Sequence, residues 1–193
     1  SKNTSAETDF SNILSDKSVP YIGYIGTDYQ KFSINLQKVQ RIDDNQYDVS
    51  GITIVKNNRC NFRGTIDIVE NREFTHPTYG VDDSMKGQFR RRGCSIAKYN
   101  LEEASQTGSG VFTGYLLFYW YETNDGKFVY DDIDSHSDSY CNNQYAGTWK
   151  SNKTKKSKPC AWGQYRVPNS GDLDVGAGEF SVNPKYAKNG WGK

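Results

Sequence analysis

The sequence predicts an all-β domain built mainly from antiparallel strands, and three observations carry that prediction. The chain of 193 residues contains only six leucines and one methionine, far fewer than helical bundles need. Aromatic residues make up 14% of the chain, although only 35% of it is hydrophobic and the mean hydropathy is −0.83. Hydrophobic and polar residues alternate over several segments, which is typical of strands with one buried face.

The predicted elements follow one another along the chain. A short helix is expected over residues 6–15, with Thr8 as its cap. Asn124-Asp125-Gly126 predicts a hairpin with a type I′ turn, and a long loop is expected over residues 72–90. The predicted strands cover residues 32–37, 47–56, 62–68, 94–103, 111–122, 128–133, 145–150, 162–167 and 177–182.

About eight to ten strands without helical alternation predict a single barrel or sandwich. This β-domain is expected to span residues 20–193, after a polar tether over residues 1–19 that holds the short helix. The fragment Gly147-Thr148-Trp149 resembles the Gly-x-Trp element of calycin barrels such as lipocalins and avidins, although in those families the element lies on the first strand. The resemblance favours a calycin-like or lipocalin-like barrel over a sandwich.

The charges argue against several classes of partner. The chain has 24 basic and 23 acidic residues, a net charge of +1, so neither nucleic acid nor an anionic membrane is expected as the main partner. Arg90-Arg91-Arg92 forms the one basic cluster, interpreted as a solvated strand end or loop. No run approaches the ~20 apolar residues needed to cross a bilayer, so no transmembrane segment is expected.

Cys60, Cys94, Cys141 and Cys160 form an even set without the tight C-x-x-C spacing of structural zinc sites. The wide spacing favours two disulfides, or buried thiols, over a metal site. The sequence allows three pairings, of which we favour Cys141 with Cys160 and Cys60 with Cys94. Disulfides indicate an oxidising compartment, so an extracytoplasmic protein is expected, whether secreted, periplasmic or surface-anchored.

One acidic segment is a candidate metal site. Asp132, Asp134, His136 and Asp138 occupy every second position, so on an extended segment all four side chains would share one side. Carboxylates at that density favour Ca²⁺, or another divalent metal once a histidine takes part. The alternative is an exposed acidic loop after a strand. No other cofactor is expected.

A second acidic segment is rich in glycine. Asp172, Asp174 and Glu179 would converge if the glycines around them fold the backbone tightly, and paired carboxylates serve as general acid and base in glycoside hydrolysis. The favoured interpretation is a glycine turn whose aspartates bond to backbone N–H groups. The chain lacks the motifs of nucleophilic hydrolases and of phosphate-binding loops, so no catalytic residue is assigned.

Aromatic residues are the strongest candidates for binding. Tyr and Trp combine a flat apolar face with a polar tip, which suits sugars, small ligands and protein interfaces. Most of them are expected to replace leucine in the core. The predicted ligand-binding residues lie in an irregular polar stretch near the glycine-rich segment and on the preceding strand: Trp162, Tyr165, Arg166, Trp149 and Tyr145.

The leading hypothesis is a non-catalytic binding domain whose partner is a small molecule, a glycan or another protein. One alternative is an inhibitor or immunity-type protein that binds a secreted enzyme. Another alternative is a carboxylate- or metal-dependent hydrolase that uses residues of the two acidic segments. Fold alone does not separate these hypotheses, because barrels and sandwiches host many unrelated functions.

Overall fold

The protein is a closed antiparallel β-barrel of eight strands, described here from a computed structural model over residues 8–192. Neighbouring strands are also neighbours in sequence, with two exceptions. Strand β8 follows β6 in the wall, with the short strand β7 beside β6, and the first strand β1 pairs with the last strand β9. Pairing of β5 with β6 closes the ring. The strands are β1 (Tyr21–Ile25), β2 (Gln30–Arg41), β3 (Gln46–Val55), β4 (Asn58–Glu73), β5 (Phe89–Glu103), β6 (Gly110–Thr123), β7 (Phe128–Tyr130), β8 (Asn142–Ser151) and β9 (Ser157–Gln164).

The helical content is small. Helix α1 spans Ser11–Leu14, and two 3₁₀ helices span Val81–Asp83 and Pro184–Asn189. The predicted all-β barrel with a short amino-terminal helix is therefore confirmed. None of the helices in residues 8–192 is long and apolar enough to cross a membrane.

Alternation along the strands fills the barrel interior. Phe32, Ile34 and Leu36 of β2 point inward and are buried, whereas Ser33 and Asn35 between them are exposed. Large aromatic side chains contributed by several strands occupy the centre in place of leucines. The largest fully buried ones are Trp120, Trp162, Tyr47, Tyr145, Phe10, Phe32, Phe112 and Phe118.

Helix α1 closes one end of the barrel. The Phe10 ring packs edge-on against Phe118 and Phe128, with centroids 5.1 and 5.2 Å away, and the Phe10 N–H donates to the Tyr47 hydroxyl (2.9 Å). Phe10, Ile13 and Leu14 thus belong to the core, which corrects the expectation that the whole segment up to residue 19 is a tether. The predicted cap Thr8 is also wrong, because Phe10 is the residue that precedes the first turn. The first residues of the predicted helix lie outside the described residues.

Several element boundaries differ from the prediction. The Asn124-Asp125-Gly126 hairpin is confirmed, but only Gly126 has a positive φ (89°), so the turn is not type I′. Strand β1 lacks a clear alternating pattern and was not predicted. The strand predicted over residues 177–182 is wrong, since only an isolated bridge joins Asp174 to Val182 there.

A second, smaller apolar cluster covers the outside of the barrel. The segment after β9 folds back over β1 and β9, and Val167 and Leu173 are buried against Tyr24 and Ala161. Trp191 anchors the end of this segment by donating from Nε1 to the Tyr29 carbonyl (2.7 Å). This segment and the loop between β7 and β8 meet outside the barrel wall, which creates the surface features described below.

All four cysteines are free thiols, and the favoured pairing is wrong. Cys94 pairs with Arg72, twelve residues along β4 from Cys60, which separates the two cysteines by roughly 40 Å. Cys160 lies four residues, or about 13 Å, from Gln164, the partner of Asn142 next to Cys141. Disulfides need Cα atoms within about 7 Å. The extracytoplasmic location, which rested on disulfides, stays a prediction.

The thiols give a first test of this fold. We expect Ellman's reagent to modify Cys141 first, because it is half-buried, whereas Cys60, Cys94 and Cys160 are buried and react only on unfolding. Burial raises the pKa of all four thiols, to about 12 at Cys60, so native reaction at neutral pH is slow. Four thiols should titrate in denaturant without reductant. A lower count would mean that disulfides form and that the strand register is different.

Candidate functional site

The five predicted ligand-binding residues do not come together in one site. Trp162 and Tyr145 are fully buried and stack on each other in the barrel core, with ring centroids 4.7 Å apart. Trp149 also packs against the core, and its Nε1 donates to Glu103 (2.6 Å). Only Tyr165 and Arg166 lie outside the barrel. Since Trp162 and Tyr145 pack in the core, an alternating aromatic pattern in the sequence does not distinguish residues that bind a ligand from residues that pack in the interior.

The acidic segment after β7 is a succession of turns and not an extended chain. The N–H groups of Ser135 and Ser137 donate to the carbonyl groups of Asp132 and Asp134, three residues earlier in each case (3.0 and 2.9 Å). The period-two argument for a metal site is therefore wrong, because its geometric premise fails. Residues 8–192 contain no group of three or more His, Cys, Asp or Glu side chains that could hold a metal ion.

The buried side chain of Arg92 forms hydrogen bonds that hold this acidic loop in place. Its Nη2 donates to Asp131 (3.0 Å) and to Asp134 (2.8 Å), and its Nη1 donates to the Thr78 carbonyl (3.0 Å). The Arg92 side chain is 8% exposed and that of Asp131 is 2% exposed. The interpretation of the arginine cluster as solvated is thus wrong for Arg92, while Arg90 is exposed as expected. Arg92 ties the β4–β5 loop to the β7–β8 loop.

A small groove of about 420 Å³ opens beside this network and contains His76 and Cys141. Burial raises the pKa of the Cys141 thiol, and the nearby Arg166 only partly opposes this. A raised pKa keeps the sulfur protonated, and the thiol is a poor nucleophile. Asp131 and Asp134 are already bonded to Arg92, so neither carboxylate is available as a general base. Neither the Cys141 thiol nor these two carboxylates is therefore assigned a catalytic role.

The carboxylates of the glycine-rich segment have separate partners. Asp174 bonds to Arg166 and accepts from the N–H groups of Gly176 (2.9 Å) and Ser181 (3.1 Å). Asp172 instead pairs with Lys185 at the surface. The favoured interpretation, a glycine turn held by aspartates that accept backbone N–H groups, agrees with these contacts for Asp174. Two carboxylates that face each other across a cleft do not occur in this segment.

The main surface groove lies between the β7–β8 loop and the segment after β9. We call it the tyrosine groove, and its volume is about 760 Å³. The Tyr140 and Tyr165 rings meet edge-on in it, with centroids 4.8 Å apart. Its remaining apolar lining comes from Val19, Pro20, Ile22 and Phe180.

The backbone at the tyrosine groove is held in uncommon conformations. Tyr165 has φ 67° and Ser139 has φ 62°, although side chains disfavour positive φ. The Gln144 Nε2 group stabilises the bend at Tyr165 by donating to the carbonyl groups of Gln164 (3.2 Å) and Arg166 (2.9 Å). Ser139 donates its N–H to Gly178 (2.9 Å), which joins the two walls. Such residues tend to cluster at functional sites.

The polar lining of the tyrosine groove is mildly acidic. His136, Asp138 and Glu179 contribute to it, together with the hydroxyl groups of Ser135 and Ser137. A Cβ placed on Gly178 would lie 2.8 Å from the Asp138 carboxylate, so this carboxylate lies close to the Gly178 backbone. The groove therefore offers hydrogen-bond acceptors and hydroxyl groups next to two aromatic rings.

Sequence reasoning named Tyr165 but missed most of its neighbours. Phe180 lay inside a segment predicted as a strand, and residues 19–22 carried no alternating pattern. Tyr140 was one of many tyrosines. The one local signal was the polar, irregular stretch around Tyr165, because such stretches favour exposed loops. The contact between two chain segments more than 20 residues apart has no local signal.

Comparison of the chain with protein-family models, with curated proteins and with solved structures gave no match. The assignment of a function therefore depends on the geometry of this chain alone.

The Arg92 network makes a prediction about stability. Arg92→Met should lower the free energy of unfolding by about 3 to 5 kcal/mol, because it leaves the Asp131 carboxylate buried without its partner. Arg90→Met is the matched control, since Arg90 is exposed, and should cost less than about 1 kcal/mol. Urea unfolding measures both changes. Equal stability of the two variants would contradict the buried ion pair.

Asp174 makes a prediction about pH. Burial alone would raise its pKa, but the N–H groups of Ser181 and Gly176 and the Arg166 guanidinium outweigh burial and lower it. A lowered pKa adds stability above the usual value of 3.8, and this contribution is lost as pH falls through the lower, folded-state value. Asp174→Asn should therefore destabilise the protein at pH 7, by about 1 to 3 kcal/mol, and progressively less below pH 4.

Asp172→Asn is the control for this measurement, because Asp172 and Lys185 are both about half exposed and their pair contributes little. Urea unfolding of both variants at several pH values would show the difference. A loss at Asp174→Asn that stays constant down to pH 2 would contradict a role for the ionised carboxylate.

Proposed function

We propose that this protein is a non-catalytic binding domain that binds a neutral glycan in the tyrosine groove. The proposal depends on where the molecule has room for a ligand. Side chains fill the barrel interior, whereas the tyrosine groove has a volume of about 760 Å³ at the surface. Binding sites are typically concave and lined by apolar and aromatic residues with a few polar groups. The tyrosine groove has this composition.

The ligand class follows from the lining. The Tyr140 and Tyr165 rings supply flat apolar faces for sugar rings, and Asp138, Glu179 and His136 supply hydrogen-bonding groups for hydroxyls. Two carboxylates and no lysine or arginine line the groove, so anionic ligands are disfavoured. Its open shape suits an elongated molecule that lies across the surface.

The hydrolase alternative receives less support. Glycoside hydrolysis needs two carboxyl groups about 5 to 9.5 Å apart across the substrate. Asp131 and Asp134 bond to Arg92, and Asp174 bonds to Arg166 and to backbone N–H groups. Carboxylates already paired with arginine are poor general bases, so these three residues of the two acidic segments do not support the hydrolase alternative.

An array of neutral oligosaccharides, followed by calorimetry on the best binder, tests the proposal. Tyr165→Asn should weaken binding by about tenfold or more, because it removes an aromatic ring from the centre of the groove. Asparagine is chosen because it tolerates the positive φ at this position better than alanine. Tyr140 is less suitable for substitution, since its hydroxyl donates to the Asp131 carbonyl and holds the loop.

Tyr115→Asn is the matched control, because Tyr115 is 56% exposed on β6 and lies outside the tyrosine groove. It should leave glycan affinity unchanged. An array without any binder, or equal losses in the two variants, would refute glycan binding at this groove.

A further inference from the structure

The barrel wall is weakest between β1 and β2. Only Tyr24 and Ile25 of β1 pair with β2, opposite Lys31 and Gln30. On its other side β2 pairs with β3 at nine positions, from Phe32 onward. For most of its length, β2 therefore has a neighbouring strand on one side only.

Two short distances show in which direction the carbonyl groups of β2 point. A Cβ placed on Gly51 of β3 would lie 2.0 Å from the Asn35 carbonyl oxygen, so this carbonyl points to β3. A Cβ placed on Gly23 of β1 would lie 2.9 Å from the Phe32 carbonyl oxygen, so that one points away from β3. Alternate residues of a strand direct both backbone groups to opposite neighbours.

Ile34 and Leu36 follow Phe32 by two and four residues, so their N–H and C=O groups also point away from β3. Within the part of the chain that the structure describes, no strand pairs with Ile34 or Leu36 on this side, and no loop backbone or side chain bonds to their N–H and C=O groups. A row of unpaired backbone groups at a sheet edge is a template for a further strand.

These groups face a groove of about 400 Å³ between β2 and residues 14–21, which we call the edge groove. Leu14, Val19 and Tyr21 line its far wall, so much of its surface is apolar. Lys17 stands at its rim, exposed, and forms no ion pair with any residue in the range 8–192. Asp16 also lines the edge groove, but its carboxylate already accepts from the Ser18 N–H (3.0 Å) and from Gln164 Nε2 (3.1 Å). Lys17 is then the charged group that is left for a ligand, and it favours a ligand that carries an acidic group.

The lining of the edge groove favours a peptide over a second barrel. Residues 14–21 lie along the side opposite β2, so a partner reaches this strand edge through a groove and not across an open face. An extended chain can enter such a groove, whereas the wall of a second barrel cannot lie flat against β2. Only a peptide offers N–H and C=O groups at the spacing of a strand.

We propose that the edge groove binds an extended segment of a partner protein as an added strand. The segment bonds through its backbone to Ile34 and Leu36. It places an apolar side chain against the wall and an acidic side chain near Lys17.

A phage-displayed library of random eight-residue peptides, selected on the full chain, tests this inference. We expect enriched peptides with an acidic residue close to an apolar one. They should bind the Tyr165→Asn variant equally well, because the edge groove shares only Val19 and Pro20 with the tyrosine groove and Tyr165 does not line it. Lys17→Glu should weaken binding by about tenfold, whereas Lys153→Glu, in the β8–β9 turn, should not.

A synthetic copy of an enriched peptide, N-methylated at one position at a time, tests backbone pairing directly. Methylation at every second residue removes an N–H that bonds to β2 and should cost about tenfold or more in affinity. Methylation at the residues between them should change affinity little. This period of two distinguishes an added strand from recognition through side chains alone.

Three results would overturn the inference. The first is no enrichment above an unrelated protein, or losses that do not alternate along the peptide. The second is a concentration-dependent dimer in light scattering that Lys17→Glu abolishes, which would assign the edge to a second copy. The third is peptide binding only by a chain that starts at Thr8, which would assign the edge groove to residues 1–7.

Discussion

Filling the barrel with aromatic side chains is the constraint on which the rest of the structure depends. A closed ring of eight strands encloses a limited volume that packed side chains can fill. Here Trp162 stacks on Tyr145, and Phe10, the residue before helix α1, completes the packing at one end. Because the interior is occupied, a ligand must bind outside, where loops and strand edges provide the surfaces.

Polar side chains organise the outside of the barrel by bonding to loop backbone. Gln164, fully buried, accepts from Tyr130 and Asn143 and donates to the Val19 carbonyl, so it joins β7, β8 and the segment before β1. Arg92 plays the same part for two other loops. Each side chain satisfies backbone groups that are otherwise unpaired in irregular structure, where an unmade bond is costly. The tyrosine groove lies between segments fixed in this way.

The edge groove is a place where the requirement for paired backbone groups is not met. On the side away from β3, the backbone groups of Ile34 and Leu36 have neither a paired strand nor a loop backbone to bond to within residues 8–192. The segment before β1 does not pair with β2; its Asp16 and Val19 carbonyl groups instead accept from Gln164. A barrel that closes through only two residue pairs at one seam keeps a strand edge available, whereas fully paired barrels remove their edges.

The sequence by itself determined most of the strands and the all-β class. Alternation at Phe32, Ile34 and Leu36 and the shortage of leucine depend on local rules, and both led to an all-β barrel or sandwich. The glycine turn around Asp174 was also predictable, because aspartate next to glycine bonds to nearby backbone N–H groups. These features need only residues that are close in sequence.

Tertiary structure decided which side chains are functional candidates. Trp162 and Tyr165 lie three residues apart and look equivalent in the sequence, yet one is in the core and the other at a surface bend. Arg90 and Arg92 differ in the same way, because the acidic partners of Arg92 arrive from a loop some 40 residues later. Burial and pairing between distant segments depend on how the barrel closes, and no local pattern encodes them.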